Sequence, residues 1–145
     1  MNKEQLRQHL YNDTIAEAVK YVNTIIDEES LAVYAYNYNW DNGFAVPYAI
    51  LKNNSCSLSI ALLLFELADG FTFLKSKEVD SALPEWSSFM KELYGKVMNN
   101  TFPAGNVSFT PELSKFQLLK IEKLISDDEH VFITPIEGID YHIYL

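Results

Sequence analysis

Apolar residues recur every three or four positions along most of the chain, which is the spacing of one face of an α-helix. Thr14-Ile15-Ala16-Glu17 has the pattern of a capping box, and a helical stripe follows it to Ile26. A shorter helix around Glu4–Tyr11 is expected before it. The acidic run Asp27-Glu28-Glu29 is suited to the start of a further helix through Ala32–Tyr38, which Asn42-Gly43 would stop.

The centre of the chain is the most apolar part. Pro47 is placed near the start of a short helix that reaches Asn53-Asn54. We expect Ser57 to cap the next helix, Leu58 to Ala68, in which nine of eleven residues are apolar. A short helix that is apolar almost all round belongs in a core, so we expect this segment to be buried and to end at Asp69-Gly70.

The second half of the chain predicts two more helices and a different tail. A connector over 71–80 leads to a helix that opens at Leu83-Pro84-Glu85 and runs to Met98, and a loop follows over 99–108. Thr110-Pro111-Glu112 would start a long last helix that carries an apolar stripe of Leu113, Phe116, Leu119 and Leu124. Residues 130–134 and 141–145 favour extended structure.

These patterns together predict a mainly α protein with one domain over residues 1–145. We expect a helical bundle or a HEAT-like stack of about six helices, followed by a short extended or β-hairpin C-terminal tail. A chain of 145 residues with 48% apolar residues can bury a real core.

The net charge restricts the possible partners. Twenty acidic residues against eleven basic ones give −9, and Arg7 is the only arginine. Nucleic-acid binding needs a basic surface, so we expect no nucleic-acid partner. A cationic protein partner is favoured, because electrostatic steering raises association rates by ~10- to 10³-fold. The other interpretation is that the charge only keeps the domain soluble.

The chain carries no signature of catalysis, metal binding or membrane insertion. Cys56 is the only cysteine, the first residues form no hydrophobic signal core, and no apolar run is long enough to span a bilayer, so we expect a cytoplasmic protein. His130 and His142 match no compact metal-ligand spacing, and the five glycines stand alone. We therefore expect no enzymatic activity, no metal and no cofactor.

The densest cluster of unusual residues is Tyr36-Asn37-Tyr38-Asn39-Trp40-Asp41-Asn42-Gly43-Phe44. In one interpretation Trp40 and Phe44 anchor the core while Asn37 and Asn39 hydrogen-bond neighbouring loops. In the other, tyrosines and nearby acids form a recognition patch for a basic partner.

This cluster resembles a bacterial family, Domain of Unknown Function 4274. The resemblance spans roughly residues 31–70 and rests on the cluster itself together with Pro47, Ile50-Leu51, Cys56, Ala61-Leu62 and Leu67-Ala68-Asp69-Gly70. Members of this family resemble the small acidic immunity proteins that are encoded beside bacterial polymorphic or contact-dependent toxins. Such toxin domains are often nucleases with basic substrate clefts.

The resemblance and the charge imply a non-enzymatic immunity protein that binds and neutralises a cognate toxin, by covering the active site or substrate groove of a basic nuclease domain. The candidate contacts are the two acidic runs and nearby tyrosines: Asp27, Glu28, Glu29, Tyr34, Tyr38, Asp127, Asp128, Glu129, Tyr141 and Tyr144. Two alternatives stay open. One is a general helical interaction module without a toxin partner, and the other is an unassigned hydrolase using Cys56 or the acids near Asp41 and Asp69.

Overall fold

The computed structural model describes all 145 residues as one mainly helical domain. Eight α-helices and two 3₁₀ segments follow one another: α1 Lys3–Asn12, α2 Ile15–Val22, α3 Glu28–Asn37, a 3₁₀ turn at Trp40–Asn42, α4 Ala45–Lys52, α5 Leu58–Leu67, α6 Gly70–Ser76, α7 Pro84–Met98, α8 Lys115–Glu122 and a 3₁₀ segment at Asp127–Ile133. There is no sheet, and none of the helices combines the length and apolar composition needed to cross a lipid bilayer.

Helix α5 is the centre of the core, as its composition predicts. Seven of its ten residues are buried, and α3, α6 and α7 pack around it while α2 packs on α4. The predicted starts of α2 and α7 are also confirmed. Thr14 and Glu17 exchange both capping-box hydrogen bonds, and Pro84 occupies the first turn of α7.

The prediction of about six helices is too low, because the expected connector over 71–80 contains helix α6. Asp69 adopts the left-handed conformation, with φ of 64°, and this turns the chain directly from α5 into α6. Gly70 then lies so close to Phe65 that a Cβ atom would overlap its ring and carbonyl. Asp69-Gly70 does end α5, but it forms a corner between two helices.

Helix α3 ends at Asn37 and does not continue to Asn42-Gly43. Tyr38 is extended, and its hydroxyl donates to the Gly43 carbonyl at 2.7 Å, which closes the loop around the 3₁₀ turn. The Asn39 side chain caps that turn by accepting from the Asp41 amide at 3.0 Å. Gly43 leaves the turn with φ of 89°, a conformation that favours glycine.

The last helix differs from the predicted one in its first residue, in its length and in which of its faces is buried. Ser114 and Gln117 form the capping box, and α8 has only eight residues. Its buried residue is Ile121, whereas Phe116 and Leu119 are exposed. The predicted stripe is wrong because α8 packs on the rest of the domain along its other side, beside α6.

The C-terminal segment is not a hairpin. Residues 130–133, predicted to be extended, lie in the 3₁₀ segment. The residues after them run across the helices, with isolated bridges between Ile136 and Phe109 and between Ile139 and Val107. The end of the tail is held by Asn37, whose side chain donates to the Ile143 carbonyl at 2.7 Å and accepts from the Leu145 amide at 3.1 Å.

A buried carboxylate ties the second 3₁₀ segment to α6 and α7. Glu129 Oε2 accepts from the Tyr94 hydroxyl at 2.6 Å and lies 3.0 Å from Lys77 Nζ, and its Oε1 accepts from the Ser126 amide at 2.9 Å. Burial raises the pKa of Glu129, but these hydrogen bonds outweigh it and hold the pKa below its ordinary value.

We expect Gly70→Ala to destabilise the protein by about 1–3 kcal/mol, because the new methyl group must displace the Phe65 ring or backbone. Gly95 is the matched control. A Cβ there meets no atom within 4 Å, so Gly95→Ala should stabilise α7 by about 0.5–1 kcal/mol. Urea unfolding of both variants measures the difference, and equal effects at the two positions would contradict the packing at the α5–α6 corner.

We expect Glu129→Gln to cost roughly 1.5–3 kcal/mol at neutral pH, because hydrogen bonds to a charged group are lost. A carboxylate with a lowered folded-state pKa stabilises fully above the ordinary pKa of 4.5, and the contribution is lost as the pH falls through the lowered value. The gap between wild type and variant in urea unfolding should therefore close at acid pH. Glu137→Gln, at an exposed position, should change little at any pH, and a Glu129→Gln gap that persists in acid would refute the assignment.

Candidate functional site

The first acidic run stabilises the start of α3 and a neighbouring loop. The Asp27 carboxylate caps the helix by accepting from the Ser30 amide at 2.9 Å. Glu28 accepts from the Asn106 amide at 2.6 Å and so fixes the loop before the isolated bridges. Glu29 is half-buried beside it. Of these three residues only Asp27 is exposed.

The second acidic run is divided between surface and interior. Asp127 and Asp128 are exposed in the 3₁₀ segment, whereas Glu129 is the buried carboxylate bound by Tyr94 and Lys77. Glu129 is therefore unavailable to a partner, because its oxygens already accept hydrogen bonds within the domain.

Three of the four predicted contact tyrosines are buried, which corrects the prediction of a tyrosine-bearing surface. Tyr34 and Tyr141 are each 1% exposed and Tyr38 is 8% exposed. Burial raises the pKa of Tyr38 to about 12 and also raises the pKa values of Tyr34 and Tyr141. All three rings belong to the buried core cluster, so they cannot meet a partner.

Tyr144 is the exposed exception, with 83% of its surface accessible. Its hydroxyl hydrogen-bonds that of Tyr36, beside the carboxyl-terminal end of α3, whereas the first acidic run caps the amino-terminal end of the same helix. The predicted contacts therefore do not converge on one surface.

The structure places a groove elsewhere, directly over the aromatic cluster that the sequence singles out. Its volume is about 710 Å³, which is within the range of ligand sites, and it is widely open to solvent. Seven of its thirteen lining residues are apolar: Trp40, Phe44, Leu67, Ala68, Val79, Leu83 and Trp86. We call this surface the acidic groove, for the reason given below.

The aromatic floor of the acidic groove is held in place by the core. Trp86 of α7 donates its indole N–H to the Ala68 carbonyl at 2.6 Å, which fixes α7 to the end of α5. Trp40 and Phe44 both pack on the buried Phe89 ring, with centroid distances of 5.9 and 5.1 Å. The interpretation of Trp40 and Phe44 as anchors on the core is confirmed, and both side chains also line the groove.

The rim of the acidic groove is negative. Asp69, Glu78 and Asp80 line it, and no Lys, Arg or His does. Asp69 accepts from the Thr72 hydroxyl at 2.8 Å, and Asp80 accepts from the Ala82 amide at 2.9 Å. These bonds fix two of the carboxylates, so the groove offers preorganised negative charge beside exposed apolar surface.

The groups proposed for the hydrolase alternative do not form one site. Cys56 is 2% exposed, and burial raises the pKa of its thiol to about 12, so it stays protonated. Of Asp41, Glu66 and Asp69, only Asp69 lines the acidic groove. No cluster of three or more His, Cys, Asp or Glu side chains is arranged to hold a metal ion.

The sequence did not predict a functional role for the groove residues Glu78, Val79, Asp80 and Leu83, which supply charge and exposed apolar surface. All four lie between α6 and α7. Glu78, Val79 and Asp80 fall in the predicted connector over 71–80, and Leu83 falls at the predicted start of α7. Val79 and Leu83 are large apolar side chains in an otherwise polar stretch and are exposed in the fold. In the sequence, the available signal was the presence of two large apolar residues in a polar segment.

Comparison with known proteins shows that the groove lies in the part of the chain that matches a family model. A family model described as Domain of unknown function (DUF4274) matches residues 26–100, just over half of the chain, and this range includes all of the groove. No curated protein and no solved structure has significant similarity to the chain. The match extends the resemblance seen over residues 31–70 through α6 and α7. The chain therefore belongs to the family described as Domain of unknown function (DUF4274).

Proposed function

We propose that this protein is a non-enzymatic immunity protein that binds a cognate bacterial toxin, of the contact-dependent kind, and neutralises it. The partner surface is cationic, as in a nuclease domain, and the protein covers its active site or substrate groove. The observation that carries the proposal is the acidic groove, in a chain of net charge −9.

The groove has the physical features of a binding hot spot. Aromatic and aliphatic side chains at its centre supply apolar area, and their positions are fixed by packing on Phe89 and by the Trp86 hydrogen bond. Acids around that centre favour lysine- or arginine-bearing partners and reject anionic ones. A cationic partner with an apolar anchor fits both features.

A nuclease domain is a suitable partner because its substrate cleft must be positive to bind phosphates. A preorganised acidic surface can occupy such a cleft in place of the nucleic acid. Inhibition then needs only tight association, and no bond in the toxin has to be made or broken.

The same groove is also compatible with a general interaction module that has no toxin partner. The two functions differ in genetic context. A neighbouring open reading frame that encodes a basic, toxic domain supports immunity, whereas an unrelated operon favours the general module.

We expect co-expression with the product of the adjacent gene to restore growth, and a groove variant to lose this protection. In Glu78→Lys/Leu83→Ser, one rim charge is reversed and one exposed apolar group is removed. Serine is a favoured N-cap, so it is compatible with the start of α7, where Leu83 lies. The affinity for the toxin domain should fall by roughly 10- to 100-fold.

The matched control is Glu137→Lys/Ile26→Ser, which makes the same changes at two exposed positions outside the groove. It should protect as well as wild type. If wild type gives no protection, or if the adjacent product is harmless, the proposed function is wrong. If the groove and control variants protect equally, the groove is not the contact surface.

We also expect binding of the purified toxin domain to weaken as ionic strength rises, with most of the loss in the association rate, because steering between opposite charges is screened. The slope of log Kd against log salt should be smaller for the groove variant than for wild type. A salt-independent affinity would contradict an electrostatic role for the rim.

A further inference from the structure

Helix α8 presents an apolar face that nothing in the domain covers. Phe116 is 67% exposed and Leu119 is 56% exposed, and Leu124 just after the helix is 55% exposed. Single exposed apolar residues are normal, but three large ones on one short helix and its exit form a patch. Ile121 is buried on the other side of the helix, so this exposure does not result from a detached segment.

The α8 face is also basic, in contrast to the chain as a whole. Lys115, Lys120 and Lys123 lie in or directly after the helix against one acid, Glu122, so residues 115–123 carry a net charge of +2 in a chain of net charge −9. Lys120 Nζ lies 4.5 Å from the centroid of the Phe116 ring, so charge and apolar surface are presented together. The complementary surface is both apolar and acidic.

The acidic groove of the same chain is a surface of that kind, and it lies beside α8. Helix α8 packs beside α6, whose Thr72 and Ser76 line the groove. Just before α8, the Glu112 amide donates to Glu66 Oε1 at 2.7 Å, one residue from the groove residue Leu67. Two complementary patches that adjoin each other can pair reciprocally across a two-fold axis, and this produces a closed dimer.

We infer that two copies of this chain associate through this pairing, with the α8 face of each copy seated in the acidic groove of the other. The dimer covers the groove, so self-association and capture of a cationic partner exclude each other. This inference rests on the groove and on α8 alone and does not require the toxin.

The test is the mass of the purified chain over a wide concentration range, measured by sedimentation equilibrium. Wild type should move from the monomer mass of 16.6 kDa towards twice that value. The groove variant Glu78→Lys/Leu83→Ser and the α8 variant Phe116→Ser/Lys120→Glu should each raise the dimer Kd roughly 10- to 100-fold. Both α8 positions are exposed, so the thermal unfolding of this variant should stay near that of wild type.

Mixing the two variants gives the decisive readout. The groove variant keeps its α8 face and the α8 variant keeps its groove, so a mixed dimer retains one of two intact contacts whereas each homodimer retains none. The mixture should therefore associate more tightly than either variant alone. Two variants with the same charge changes elsewhere, Glu137→Lys/Ile26→Ser and Lys91→Glu/Ile26→Ser, should dimerise like wild type.

Three results would overturn the inference. Wild type could stay monomeric at every concentration, the groove and α8 variants could dimerise as tightly as wild type, or the mixture could associate no more than its components. None of them bears on protection from a toxin, so the two proposals can fail separately.

Discussion

The burial of helix α5 is the constraint on which the rest of the structure depends. Its apolar surface runs almost all the way round, so no single neighbour can cover it, and α3, α6 and α7 have to enclose it together. The left-handed Asp69 and the absent side chain of Gly70 allow α6 to fold back on α5 within one residue. The acidic groove opens at this corner because α5, α6 and α7 converge there on Trp40 and Phe44.

Polar side chains inside the domain explain much of the cluster that stands out in the sequence. Asn37 holds the C-terminal tail, Asn39 caps the 3₁₀ turn and Tyr38 closes the loop at Gly43. Each forms a hydrogen bond with a backbone group of a loop or of the tail. The amides are therefore structural, and the two half-buried aromatic rings of the cluster that pack on Phe89, Trp40 and Phe44, provide the floor of the groove.

The acidic residues likewise form two groups, one that stabilises the fold and one that lines the groove. Glu28 and Glu129 accept hydrogen bonds from distant segments and hold the fold together, and Asp27 caps a helix. The net charge of −9 therefore does not by itself locate a binding surface, because it includes carboxylates that stabilise the fold. Of the other acids, Asp69, Glu78 and Asp80 surround apolar side chains in one groove, and α8 carries a basic surface beside it.

The sequence by itself determined the helical class, the capping box of α2, the start of α7 and the central place of α5, because these features depend on residues within a turn or two of one another. Only the tertiary structure decided that Tyr34 and Tyr141 are buried, that Phe116 is exposed and that the stretch after Asp69 is a helix. Whether a ring is buried depends on segments far away in the chain, and local periodicity contains no information about them. The groove combines residues from 40 to 86 for the same reason, since three helices have to meet before its floor and rim exist.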